Sequence, residues 1–203
     1  MADDCCSVEV GSKEQARILF MVLAINAAMF VAEFIAGVIA QSTGLIADSL
    51  DMLADAAVYC VSLYAVGRSA SLKNRAAMLS GVLQILLAVS VAGEILRRTI
   101  MGSEPEPTLM IGVSLVALVA NVICLALIAR HRDGEVHMRA SWVFSKNDVI
   151  ANVGVIAAGG LVLLLDEHWP DLVIGALIVL VVLRGGISIL ADAKRERIVD
   201  SQR

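Results

Sequence analysis

Long apolar runs separated by short polar links dominate the pattern along this chain. A bilayer span needs about 20 mostly apolar residues. Six stretches meet that length: Ile18–Ala40, Leu45–Val66, Ala76–Leu96, Leu109–Ala129, Trp142–Leu165 and Leu172–Leu190. The link between the first two, Gln41 to Gly44, is so short that it predicts a helical hairpin. Pro105 and Pro107 break the chain between the third and fourth runs, and Pro170 suits the first turn of the sixth. The pattern predicts an all-α bundle of six transmembrane helices. A cytoplasmic tail (1–15) precedes the membrane domain (16–191), and a short cytoplasmic tail (192–203) follows it.

Composition agrees. Of 203 residues, 59% are hydrophobic and only 4% aromatic, so the apolar mass is aliphatic, as in a polytopic membrane protein. A net charge of −4 argues against nucleic acid as a partner. Residues 1–15 are polar and acidic and do not read as a cleavable signal peptide. Basic residues collect on one side: Lys13 and Arg17; Arg68, Lys73 and Arg75; Arg130, Arg132 and Arg139; Lys194, Arg195, Arg197 and Arg203. The other side has only Arg97 and Arg98, placed in its loops, so both termini are predicted cytoplasmic. Lys146 and Arg184 fall where long stems reach the same cytoplasmic interface.

Polar residues inside the apolar runs carry the chemistry. The second run holds Asp48, Asp51 and Asp55, and the last two share one helix face a turn apart. An aspartate at the centre of a membrane helix costs about 2.5–3.5 kcal/mol on insertion scales. Like charges on one face cost more unless a cation binds between them. The fifth run adds Ser145, Asn147, Asp148 and Asn152, and the first adds Asn26 and Glu33. No lysine or arginine lies at comparable depth in the first four runs. Asp51, Asp55 and Asp148 therefore read as a site where a divalent cation and protons alternate. Asp48, nearer the outer end, reads as a helix cap or a group facing an aqueous mouth. Asn26 and Asn121 read as hydrogen-bonding glue between helices, and Glu94 as a partner of Arg97 or Arg98. Cys60 and Cys124 read as packing residues; His168 reads as a solvated loop residue.

The series Asn26…Glu33…Gly37…Ser42, followed by Leu45-Ile-Ala-Asp48-Ser-Leu-Asp51-Met-Leu-Ala-Asp55, resembles the first two helices of the cation diffusion facilitator family. The segment Ser141-Trp-Val-Phe-Ser-Lys-Asn-Asp148-Val-Ile-Ala-Asn152-Val-Gly is similar to that family's fifth helix. The resemblance implies a proton-coupled efflux transporter of the cell's inner membrane. Its substrate would be a divalent ion (Zn, Cd, Co, Fe, Ni or Mn), and the chain would not be an enzyme. It also implies a tetrahedral site with a pair of ligands on each of the second and fifth helices. Asp51, Asp55 and Asp148 match three of the four; Phe144 stands where a histidine is expected. That departure removes the nitrogen donor and biases the site toward oxygen ligands, leaving Asn147, Asn152, Ser145 or a water as candidates to complete the shell. With 12 residues after Ala191, the chain resembles short members lacking a cytoplasmic metal-sensing domain, so a homodimer would be held by membrane helices. His131 and His137 are read as ordinary loop residues. Cys5-Cys6 is either a soft-metal capture point or part of a disordered tail. The alternative reading is a degenerate, non-transporting member acting as metal sensor or assembly partner.

Overall fold

The computed structural model describes residues 4–65, 70–129 and 136–201. Six helices account for nearly all of them: α1 (Asp4–Ile39), α2 (Thr43–Ala65), α3 (Ala70–Met101), α4 (Pro107–Ala129), α5 (Val136–Leu165) and α6 (Trp169–Ser201). No strand occurs among the described residues. Each predicted span is recovered almost entirely within one helix, and several helices overrun their spans. α1 begins at Asp4 and takes in most of the expected N-terminal tail, while α6 continues to Ser201 through the expected C-terminal one. Helical hydrogen bonding does not stop where side chains turn polar, so hydropathy alone under-measures these ends. His131 lies outside the described residues, as do the side chains of Cys5, Cys6, His137 and Phe144.

Among the described residues four helices are long and apolar enough to cross a membrane: Ala16–Ile39, Pro107–Ala129, Ser145–Leu165 and Trp169–Ala191. α2 has the length, at 23 residues, but carries three aspartates. It is sheltered accordingly: α2 packs against α1, α3, α5 and α6 and is buried almost all round from Thr43 to Ala56. α3 lies along α6 at close range. An added Cβ at Gly81 would come within 3.1 Å of the Gly186 carbonyl oxygen, so the crossing requires small residues there.

The polarity of the bundle is inverted relative to a water-soluble protein. Val31, Ile35, Val116, Val119, Leu164 and Leu177 are among many exposed aliphatic side chains. Asn26, Glu33, Asp48, Gln84, Asn121 and Asn152 are buried. Such a surface is stable against lipid and not against water. The protein is an integral, multi-pass membrane protein.

Capping holds the helix ends in register. Gln41 (φ 48°) and Ser42 close the α1–α2 link, with Ser42 N–H donating to the Gly37 carbonyl at 3.0 Å. Ser42 then caps α2, its Oγ accepting from Leu45 N–H at 3.1 Å. Glu106 caps α4, accepting from Leu109 N–H at 2.6 Å, with Pro107 in the first turn. Gly102 (φ 83°) ends α3. A further junction uses Asp171, in the first turn of α6. Its fully buried carboxylate accepts from Ser42 Oγ (2.6 Å), Thr43 N–H (2.6 Å), Thr43 Oγ1 (2.6 Å) and Gly44 N–H (3.0 Å). A negative group at these orphan amides also complements the positive end of the α2 dipole. A Cβ on Gly44 would lie 3.0 Å from Asp171 Oδ1, so glycine keeps the approach open.

Removing this carboxylate strands several buried donors, each at about 1–3 kcal/mol. Asp171→Ala is therefore expected to lower the unfolding temperature in detergent markedly, and Asp171→Asn to fall between it and the wild type. Equal melting curves for Asp171→Ala and wild type would show that the junction contributes no stability.

Candidate cation site

The acidic residues of α2 fall between two apolar clusters. One contains Ala40, Leu45, Ala47, Met110, Val155 and Val182; the other contains Leu19, Val22, Tyr59, Cys124 and Ile128. Along α2, Asp48, Asp51 and Asp55 are spaced three and four residues apart, so they follow one buried stripe that continues to Tyr59. Asp51 and Asp55 share a small cavity of about 20 Å³ with Gln84 of α3, Asn147 of α5 and Gly185 of α6. That volume accommodates a single water-sized occupant. Asp51 and Asn147 also line a second cavity of about 190 Å³, with Ala151, Ile174 and Ile178.

Asp148 of α5 is buried, and neither of its carboxylate oxygens has a hydrogen-bond partner among the described residues. It lies within electrostatic reach of Asp51 and Asp55 without lining the small cavity. Tyr59 Oη and Ser145 Oγ, both buried, have no hydrogen-bond partner among the described residues. The structure thus brings Asp51, Asp55 and Asn147 around one cavity and sets Asp148 close to the pair. No three His, Cys, Asp or Glu side chains among the described residues converge tightly enough to grip an ion by themselves.

Asn152 belongs to a second polar level. Asn121 Nδ2 donates to Asn152 Oδ1 at 3.3 Å, and Asn152 Nδ2 donates to Asp48 Oδ2, so α4, α5 and α2 are joined in series. Glu33 of α1 lies within electrostatic reach of Asp48, and both of its carboxylate oxygens lack a hydrogen-bond partner among the described residues. Asp48 is therefore neither a helix cap nor a group at an aqueous mouth. It is fully buried, and Ser42 and Asp171 perform the capping. The three-residue offset from Asp51, which puts Asp48 on the same face, was the available signal.

Other expectations divide in the same way. Asn121 does join two helices, whereas Asn26 donates to Val22 O of its own helix at 3.0 Å. Glu94 binds both arginines, accepting from Arg97 Nε at 2.8 Å and Arg98 Nε at 2.6 Å. Those arginines sit in the last turns of α3 and not in a loop, and Arg98 is buried, donating to the Gln41 carbonyl. Cys124 is buried and Cys60 exposed; Lys146 and Arg184 are exposed. His168 is half-buried in the link between α5 and α6. Sequence reasoning missed Gln84 and Asp171, because a lone glutamine or a first-turn aspartate carries no motif.

Fold and site together define a polytopic α-helical membrane protein with a carboxylate-lined interior. Residues 19–196 match the family described as the cation efflux transmembrane domain, and the chain belongs to that family. It is 27% identical over 179 residues to the metal cation efflux system protein CzcD of Cupriavidus metallidurans, covering 82% of this chain and 57% of the relative. It is 27% identical over 216 residues to the zinc transporter ZitB of Pectobacterium atrosepticum, covering 97% and 64%. It is 22% identical over 197 residues to a cadmium, cobalt and zinc/H(+)-K(+) antiporter of Bacillus velezensis, covering 90% and 63%. The chain thus spans between 57% and 64% of the length of these relatives.

The Asn121–Asn152 contact gives a measurable coupling. A double-mutant cycle with Asn121→Leu and Asn152→Leu is expected to return about 0.6 kcal/mol, the usual size for a hydrogen bond between membrane helices. A coupling of zero in detergent unfolding would mean that the series stops at Asn152 and Asp48.

Proposed function

We propose that this protein transports divalent transition-metal cations through the membrane, with Asp51, Asp55 and Asp148 as the acidic groups that hold the ion in transit. The observation that carries the reading is the sharing of one ion-sized cavity by Asp51 and Asp55, with Asp148 in electrostatic range. Three buried carboxylates at this level are matched by few cationic groups, since Lys146 and Arg184 are exposed. A divalent cation neutralises two of the three charges; protons neutralise them when the ion leaves. Proton and metal compete for the same oxygens, so an inward proton gradient drives the metal out.

Two of the relatives are named for zinc and for cadmium, cobalt and zinc, which supports these ions as the substrate class. Asn147 lines the cavity and stands near enough to serve as a neutral ligand. Asn152 acts by orienting Asp48. The direction is efflux from the cytoplasm, with both termini cytoplasmic, in the cell's inner membrane. The transporting unit is a homodimer held by membrane helices. The rival reading, a degenerate member that binds metal without moving it, has its support in the residue at 144 and in the loose grouping of acidic side chains.

Proteoliposomes or everted vesicles carrying an imposed pH gradient separate the two readings. Wild type should accumulate zinc, cobalt or cadmium; a protein that binds these ions with no flux is the non-transporting member. Asp51→Asn combined with Asp55→Asn should reduce flux to the level of empty vesicles, and retained flux would refute the site. Lowering pH on the metal-loading side should weaken binding, because the ligands must be deprotonated to hold the ion.

A further inference from the structure

Among the described residues, Gln84 is the one strongly polar side chain that α3 contributes to this cavity, and nothing in the family pattern of the second and fifth helices assigns it a role. It is 3% exposed, lines the same 20 Å³ space as Asp51 and Asp55, and its carboxamide oxygen has no hydrogen-bond partner among the described residues. A buried amide oxygen left unpaired costs about 1–3 kcal/mol and requires an explanation. The opposite wall is built to admit it. A Cβ at Gly185 would meet Gln84 Nε2 at 3.1 Å, and one at Gly186 would meet Gln84 Cβ at 3.4 Å. Paired glycines on α6 thus leave room for a long side chain on α3 to reach the level of the acidic pair.

We infer that Gln84 supplies its carboxamide oxygen to the cation held by Asp51 and Asp55, giving the site a ligand from a third helix. The inference rests on the transport reading above and refines it. An ion seated there meets carboxylate and amide oxygens from α2, α3 and α5. A donor set of this kind suits manganese better than the softer cadmium. Gln84 is thereby a specificity-determining residue, and the nitrogen donor lost at position 144 is replaced by oxygen from another direction.

The test uses the full-length protein in detergent with Co²⁺ as the probe, because the visible absorption of bound Co²⁺ follows the number and kind of its donors. Gln84→Met keeps the length and removes the oxygen. It is expected to change the Co²⁺ spectrum and to weaken Mn²⁺ and Co²⁺ binding by about tenfold or more, the scale on which altered metal shells act. Gln84→His offers a nitrogen from the same position and is expected to shift preference toward Zn²⁺ over Mn²⁺. A packing role for Gln84 would move neither the spectrum nor the preference. If wild type binds Co²⁺ and both variants match it in spectrum, affinity and preference, Gln84 is not a ligand, and the transport reading stands without it. If wild type binds no Co²⁺, and Asp51→Asn with Asp55→Asn is indistinguishable from it, the underlying cation site fails and this inference falls with it.

Discussion

Everything in this bundle answers to one electrostatic constraint: several carboxylates must be kept out of lipid while little positive charge lies near them. The solution is positional. α2, which carries three of them, is placed at the centre and touches four neighbours. The helices around it turn their aliphatic faces outward and their polar residues inward. Because attraction and repulsion between charges are strong in a medium of low dielectric, the number of acids at one depth sets how much positive charge is needed to balance them.

Two levels of polar residues divide this task. The level of Asp51, Asp55 and Asp148 leaves oxygens without hydrogen-bond partners among the described residues and has a cavity beside it. The level of Asp48, Asn152 and Asn121 is joined by side-chain hydrogen bonds in series, although Asp48 Oδ1, Asn121 Oδ1 and both oxygens of the neighbouring Glu33 also lack partners among the described residues. On the proposed reading the first level exchanges an occupant, while the hydrogen bonds of the second tie α2, α4 and α5 together. Asp171 fixes α2 from a different side, binding its first turn to α6 through a carboxylate with every hydrogen bond directed at neutral donors.

Hydropathy made the six helices legible, since each apolar run of bilayer length became a helix. It could not place the ends, because Asp4–Gln15 and Asp192–Ser201 are polar yet continue helices that had already nucleated. The acidic pair was legible from spacing, since Asp51 and Asp55 recur at a helical turn. Asp48 is misplaced by its sequence position because distance from a helix end does not measure distance from solvent, and the end itself is buried under α6. Gln84 and Asp171 were invisible for a different reason. Their roles depend on which helix stands opposite, and a contact between α3 and α6 or between α2 and α6 leaves no local periodicity in the chain.

The tight turn at Gln41 and Ser42 also bears on how the chain reaches the membrane. Three aspartates, each at about 3 kcal/mol near the bilayer centre, make α2 a poor candidate to partition into lipid alone. With so few residues between Ile39 and Thr43, α2 cannot be handled separately from α1, whose Ala16–Ile39 segment is strongly apolar. The two helices must leave the insertion machinery as one antiparallel pair, with α1 carrying its partner into the bilayer. Lengthening that turn would uncouple the pair during biogenesis, before any question of ion binding arises.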